Sequence, residues 1–252
     1  MLRVTTSWDD GDILDKRLVD LLNRYGVKGT FYITKNYRPE RLSDAEIREI
    51  SKTHEIGAHT LTHFDLRSLS PEKQKGEVAE SKKWLQNILS VEKKLDVEMF
   101  CYPKGFYNES AVRAVREAGF IGARTTNLGF ISIQSDSFHM NTTVQVYPFP
   151  FRKLNKEKFY WRKILEPLRQ RAPTLMAIGI PILSMSSWLS MAKATFDISV
   201  KNGEVFHLWG HSWEIEKYGM WNDLEKFIRY IANRKECEYV TNGELIKNRT
   251  DE

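Results

Sequence analysis

The chain has 252 residues, 41% hydrophobic and 28% charged, which suits one large α/β domain over residues 1–252 with a sizeable core. Its net charge of +5 is mild for that length, and Lys and Arg mix with Asp and Glu, as in Lys73-Gln74-Lys75-Gly76-Glu77. Such mixing reads as solvated helix faces and argues against a nucleic-acid partner. Cys101 and Cys237 form no C-x-x-C, so neither a zinc knuckle nor a redox motif is expected, and the lack of an apolar leader gives a cytoplasmic expectation.

Strand and helix signals alternate along the chain. Leu2-Arg3-Val4-Thr5-Thr6 reads as a short strand, followed by a helical stripe of Leu14, Leu18, Leu21 and Leu22 that Gly26 closes. Gly29 to Thr34 is a second strand, and Ser43 with Glu46 forms a capping box for the next helix. Glu55-Ile56-Gly57-Ala58 is a third strand. Ser70-Pro71 opens a long helix with Val78, Leu85, Ile88 and Leu89 inward. Val97 to Tyr102 is a strand, Asn108 caps a helix ending at Gly119, and Ile121 to Thr125 is a further strand.

Gln145 to Pro181 is the least regular region. Ala172 to Ala192 carries no charge, but Pro173, Pro181 and several serines argue against an integral membrane span. A buried strand or loop is expected there, followed by a helix with Leu189, Ala192, Phe196 and Val200 as its apolar stripe. Val205 to Trp209 and Tyr239 to Thr241 complete the strands. Alternating β and α predicts a parallel sheet closed or nearly closed into a barrel.

Two motifs carry chemistry. Trp8-Asp9-Asp10-Gly11 offers adjacent carboxylates on a turn, and Gly57-Ala58-His59-Thr60-Leu61-Thr62-His63 offers two imidazoles four residues apart. Each alone also has a bland reading, as ordinary turn chemistry or as a chance surface pair. Both follow a predicted strand end, where α/β proteins place their chemistry. Together they can give a divalent metal three ligands and leave a carboxylate over as a base. Tyr102-Pro103-Lys104-Gly105 is a turn whose backbone could face an oxyanion. In Phe206-His207-Leu208-Trp209-Gly210-His211-Ser212-Trp213-Glu214, His207 reads as a structural strand histidine and His211 as the proton-transfer candidate. Arg124 lies near another strand end. His54 and His139 belong to no motif and are expected to be exposed.

In this order, Ser-Trp-Asp-Asp-Gly, His-Thr-Leu-Thr-His, Phe-Cys-Tyr-Pro-Lys-Gly and His-Ser-Trp-Glu resemble the polysaccharide deacetylases of carbohydrate esterase family four, over Thr5 to about Glu214. The resemblance implies a distorted (β/α) barrel of about seven parallel strands. It implies hydrolysis of an N-acetyl group from an N-acetylated carbohydrate substrate, with zinc or another divalent metal. Asp9 would be the base, Asp10, His59 and His63 the metal ligands, Lys104 the turn that supplies a backbone oxyanion donor, and His211 the acid. Two departures stand out. Cys101 occupies the place where the family often has an arginine that orients the base, and Lys104 replaces a tyrosine.

The expected reaction is metal-assisted amide hydrolysis, with Zn2+ favoured by two His and one Asp while iron, cobalt or manganese could serve. Trp8, Trp209 and Trp213 are expected to wall the sugar site. Arg124 is expected to take over the missing arginine's place beside Asp9 from the next strand. Alternatives are a non-sugar amide or imide substrate on the same barrel, or a carbohydrate-binding protein that has lost catalysis.

Overall fold

A computed structural model describes residues 1–91, 96–152 and 161–250. Its sheet has a path of seven parallel strands in the order β5-β4-β3-β2-β1-β7-β6. These are β1 (Leu2–Asp10), β2 (Thr30–Ile33), β3 (Glu55–Ala58), β4 (Met99–Cys101), β5 (Gly122–Arg124), β6 (Val144–Gln145) and β7 (Val205–Gly210). An eighth strand, β8 (Cys237–Tyr239), pairs with Leu2–Val4 at the start of β1, before β2 takes over that side at Ser7. The free ends of the sheet approach each other through Met140–Thr143. Met140 bridges to Arg124, and Thr143 N–H donates to the His207 carbonyl (2.9 Å). The result is the expected distorted barrel.

The helices are α1 (Asp15–Tyr25), α2 (Asp44–Ile50), α3 (Pro71–Leu89), α4 (Glu109–Glu117), α5 (Trp161–Ile164), α6 (Glu166–Ala177), α7 (Trp188–Asn202), α8 (Ser212–Tyr218), α9 (Trp221–Ile231) and α10 (Asn242–Thr250). Several sequence signals act as expected. Gly26 ends α1 with φ +66°, a conformation that costs other residues more. Ser43 and Glu46 form the capping box of α2, and the Asn108 side chain accepts from Ala111 N–H at the start of α4. On α1, Leu18, Leu21 and Leu22 are buried against the sheet. Each such side chain contributes about 1.5–3 kcal/mol.

Alternation along β1 divides two environments. Val4 and Trp8 face outward into the core beneath the helices. Thr5, Ser7 and Asp9 face into the barrel, where they meet Asn242, His207 and Arg124. A smaller apolar cluster inside the barrel joins Tyr32, Met99, Cys101 and Val205 to Leu245 and Ile246 of α10.

Some expectations shift. β1 runs on through Asp9 and Asp10, and β8 lies two residues earlier than Tyr239–Thr241 because Thr241 and Asn242 begin the turn into α10. Ala172–Ala177 is helical rather than strand or loop. Pro173 is tolerated inside the twelve-residue α6, where a proline removes a single amide donor. A 3-10 turn, Ile182–Ser186, then leads into the expected helix α7. Part of the irregular region, 153–160, lies outside the described residues. Among the described residues, no helix is long and apolar enough to cross a membrane. His54 is buried rather than exposed, because its Nδ1 accepts from Gly29 N–H (3.2 Å). His139 is half-buried and pairs through Nδ1 with Asp136 (2.9 Å).

Candidate metal centre and active site

Asp9 and Asp10 are sequence neighbours, so on a regular strand they would point to opposite faces. Asp10 escapes this alternation with φ +83°, and both carboxylates reach one cleft. Gly11 follows at φ +70°, where an added Cβ would lie 2.6 Å from Ile33 Cγ2. The turn therefore requires glycine there on two counts.

His59 and His63 lie on the loop after β3 rather than on a helix. Thr60 (φ +64°) and His63 (φ +60°) are left-handed, and this brings the two rings together at a centroid distance of 4.8 Å. Glu77 of α3 holds the loop by accepting from Leu61 N–H (2.9 Å), Thr62 N–H (3.1 Å) and Thr62 Oγ1 (2.8 Å). The Thr60 hydroxyl accepts from His63 N–H (3.0 Å).

Asp10 Oδ1 lies 3.5 Å from His63 Nε2 and 3.7 Å from His59 Nε2. This oxygen is buried and has no hydrogen-bond partner. Donors around one tetrahedral ion at about 2.0–2.1 Å stand about 3.3–3.4 Å apart, so the three atoms fit a shared cation. His59 Nδ1 lies 2.7 Å from the Cys101 carbonyl, which must accept its proton, leaving the Nε2 lone pair for a metal. Burial lowers both histidines to about 4, keeping them neutral as ligands must be. Tyr37 stacks on His63 at 4.1 Å. Trp213 Nε1 donates to Asp10 Oδ2 (2.8 Å), and Arg38 lies over the Trp213 ring at 4.6 Å.

Asp9 is set apart from this triad. Arg124 Nη2 contacts both Asp9 carboxylate oxygens, and both residues are buried. Burial pushes Asp9 towards protonation, but Arg124, then His59 and His211, hold its pKa below the ordinary 3.8. Cys101 is the β4 register partner of Arg124, and its Sγ lies 3.8 Å from Asp9 Oδ2. The guanidinium thus reaches Asp9 from the strand beside Cys101, as expected. Burial and the neighbouring acids leave the Cys101 thiol protonated.

His211 stands across the cleft, with Nε2 4.0 Å from Asp9 Oδ2 and from Asp10 Oδ2. Its Nδ1 pairs with Glu214 (2.7 Å). Burial opposes the charge, but Glu214 and the two aspartates carry the imidazolium pKa up to about 9. His207 takes the structural place expected of it. Its Nε2 lies 2.8 Å from Ser7 Oγ, and burial lowers it to about 3.

The cleft has a volume of about 380 Å3 and opens at the C-terminal ends of the strands. Lys104 (φ +58°), Trp209 and Trp213 line it with the acids and histidines. Trp8 does not. It lies on the outward face of β1, fully buried beneath the helices, with Nε1 donating to Thr6 Oγ1 (3.1 Å). The expected sugar-wall role for Trp8 is therefore corrected to core packing. The sequence reading missed Tyr37, Glu77 and the pairing of Glu214. Only Glu214 had a local signal, its i+3 spacing from His211.

A parallel (β/α) barrel with an Asp-His-His cluster at its strand ends defines the class. The family model described as polysaccharide deacetylase matches residues 3–123. A Bacillus subtilis (strain 168) protein described as a polysaccharide deacetylase, YxkH, is 31% identical over 115 residues, 44% of this chain and 40% of its own length. The chain thus spans about two fifths of that curated relative. Among solved structures, a Mycobacterium smegmatis protein described as a polysaccharide deacetylase superposes with a TM-score of 0.69 at 14% identity, covering 99% of this chain and 91% of its own. A family 4 acetyl xylan esterase from Clostridium thermocellum, solved in complex with a cobalt ion, gives 0.57 at 18% identity over 98% and 92%. Residues 3–123 thus match the polysaccharide deacetylase family, and the chain shares the fold of solved structures so described.

Proposed function

We propose that the protein is a metal-dependent hydrolase that removes the N-acetyl group from an N-acetylated sugar or polysaccharide. The observation that carries this reading is the unpartnered Asp10 Oδ1 facing two neutral imidazoles in an open cleft, beside a separate, ion-paired Asp9. Asp10, His59 and His63 would hold a divalent ion, which when bound would supply Lewis-acid chemistry and lower the pKa of a nearby water. Two imidazoles and a carboxylate suit Zn2+, and the cobalt-bound relative makes cobalt a second candidate.

Asp9, ionised and held by Arg124, accepts the proton of the attacking water. Arg124 acts as a positioning residue, fixing the carboxylate and keeping it charged. The backbone at Lys104 offers an N–H to the developing oxyanion. His211, protonated through Glu214, gives its proton to the departing amine nitrogen. Trp209 and Trp213 lie on the cleft wall, where a sugar face could pack.

Cys101 favours a second reading, a carbohydrate-binding protein without turnover. The Arg124–Asp9 pair weighs against it, because the base keeps its cationic partner. The test is acetate release from a panel of N-acetylated sugars by protein loaded in turn with Zn2+, Co2+, Mn2+ and Fe2+. Metal binding without acetate release from any sugar would favour the second reading. Release from non-sugar acetamides alone would move the substrate class.

A further inference from the structure

A second, smaller cavity adjoins the catalytic cleft. Its volume is about 40 Å3, against about 380 Å3 for the cleft, and Leu128, Gln145 and Gln170 line both. Leu175 and Met191 give it apolar walls. Among the described residues, Arg171 of α6 is the one charged group that lines it.

Arg171 has an incomplete set of partners. Its Nη2 donates to Gln145 Oε1 (2.7 Å), and Gln145 is held in turn by Trp188, whose Nε1 donates to its carbonyl (2.8 Å). The guanidinium lies 5.0 Å from the Tyr147 ring. Nη1 is buried and has no hydrogen-bond partner. Burial lowers the Arg171 pKa to about 10, which Tyr147 and Glu214 offset only in part, and Glu214 is already paired with His211. The group is still cationic at pH 7.

A buried cation with an unpaired N–H is costly, and an aromatic face balances only part of the charge. Holding Gln145 needs Nη2 alone, a task that an uncharged donor could perform. The remaining donor faces a cavity that opens towards the reacting centre's cleft. One guanidinium balances one negative charge, and about 40 Å3 is room for the three heavy atoms of a carboxylate. A phosphate is bulkier and calls for a cluster of cations.

We propose that this cavity is a carboxylate subsite, in which Arg171 Nη1 donates to an acid group on the molecule bound in the cleft. Resting on the deacetylase reading above, the substrate is then an N-acetylated saccharide that also carries a carboxylate.

The test uses two acids, 2-acetamido-2-deoxyglucuronic acid and a disaccharide of N-acetylglucosamine and glucuronic acid, each beside its carboxamide. Acetate release is measured with the full chain loaded with Zn2+. For at least one acid, kcat/KM should exceed that of its carboxamide at least about tenfold. Arg171→Gln keeps an N–H for Gln145 but no charge, and should bring that ratio to within about twofold. Arg171→Lys should retain a preference for the acid. Both variants should keep the wild-type circular dichroism. A wild-type ratio near one for both acids overturns the proposal. So does an Arg171→Gln variant that slows acid and carboxamide alike and keeps the ratio, the mark of a purely structural arginine. A preference for N-acetylglucosamine 6-phosphate over both acids, lost in Arg171→Gln, assigns the cavity to phosphate and overturns the carboxylate.

Calorimetric binding of the same acids and carboxamides separates this subsite from the deacetylase reading. An Arg171-dependent preference in binding without acetate release leaves the subsite standing and removes the deacetylase reading. Acetate release with no preference for the acid in binding or turnover does the reverse.

Discussion

Replacing Arg124 by Met removes one half of a fully buried ion pair and leaves the methylene volume nearly filled. Arg124 is 0% exposed and Asp9 2%, so the remaining carboxylate cannot turn to solvent. Breaking a buried pair from one side costs about 3–5 kcal/mol. In the native protein the folded pKa of Asp9 lies below 3.8, so the pair contributes stability above that value and loses it as pH falls through the lower folded value. In Arg124→Met, burial dominates and the Asp9 pKa rises. The deficit should therefore be largest at pH 7 and shrink towards pH 4, where the orphaned acid protonates. Urea unfolding of wild type, Arg124→Met and Asp9→Asn/Arg124→Met at both pH values measures this. The double variant leaves no unpaired charge and should recover at least about 2 kcal/mol of the loss at pH 7. Turnover should fall about 100- to 10,000-fold in the single variant, and the acidic limb of its pH–rate profile should move up. A deficit under about 1 kcal/mol, the range of an exposed pair, would refute the assignment. So would a double variant no more stable than the single.

His59→Ala or His63→Ala should abolish stoichiometric metal binding by isothermal titration while circular dichroism stays native. Asp9→Asn should retain the metal and lose most turnover, and metal loss following Asp9 would reverse the roles of the two aspartates. Glu214→Gln removes the main support of the His211 charge, now carried to about 9. The basic limb of the pH–rate profile should move down, and the variant should be less stable than wild type at pH 7 but similar above pH 9, by chemical denaturation. Glu55, raised by burial to about 7 although Thr30 Oγ1 and Gly243 N–H donate to it, has the same sign as His211 in a lower pH window. It favours folding most below about 4.5 and loses that contribution as pH rises to about 7, a change of up to about 3 kcal/mol that the difference between wild type and Glu55→Gln should display.

The sequence makes the frame legible wherever a local signal decides the outcome. A β-branched run marked β1, Ser43 and Asn108 began helices, and Gly26 ended one where their chemistry requires. β6 is only two residues long, too short for periodicity to register. Pro173 disguised the end of α6. At the site, the metal ligands could be read because they cluster in sequence, although the left-handed φ of Asp10 that unites the two acids could not. Trp8 was misassigned because proximity to Asp9 in sequence says nothing about which face of the strand it occupies. Glu77 and Tyr37 support the histidine loop from other elements, and their sequence neighbourhoods give no sign of it. His54 was misread for the same reason, since its partner is a backbone amide 25 residues earlier.

The register of Cys101 opposite Arg124 has a consequence for how such chains are classified. Neighbouring strands lie about 4.8 Å apart, a gap that a guanidinium on its three-carbon stem can cross. A cation can therefore be relocated to the adjacent rung while its charged end stays at the same point in space. Scoring the third motif letter by letter would count Cys101 as a lesion and discard the chain as inactive. A search that asks whether any residue across the ladder supplies the cation would keep it.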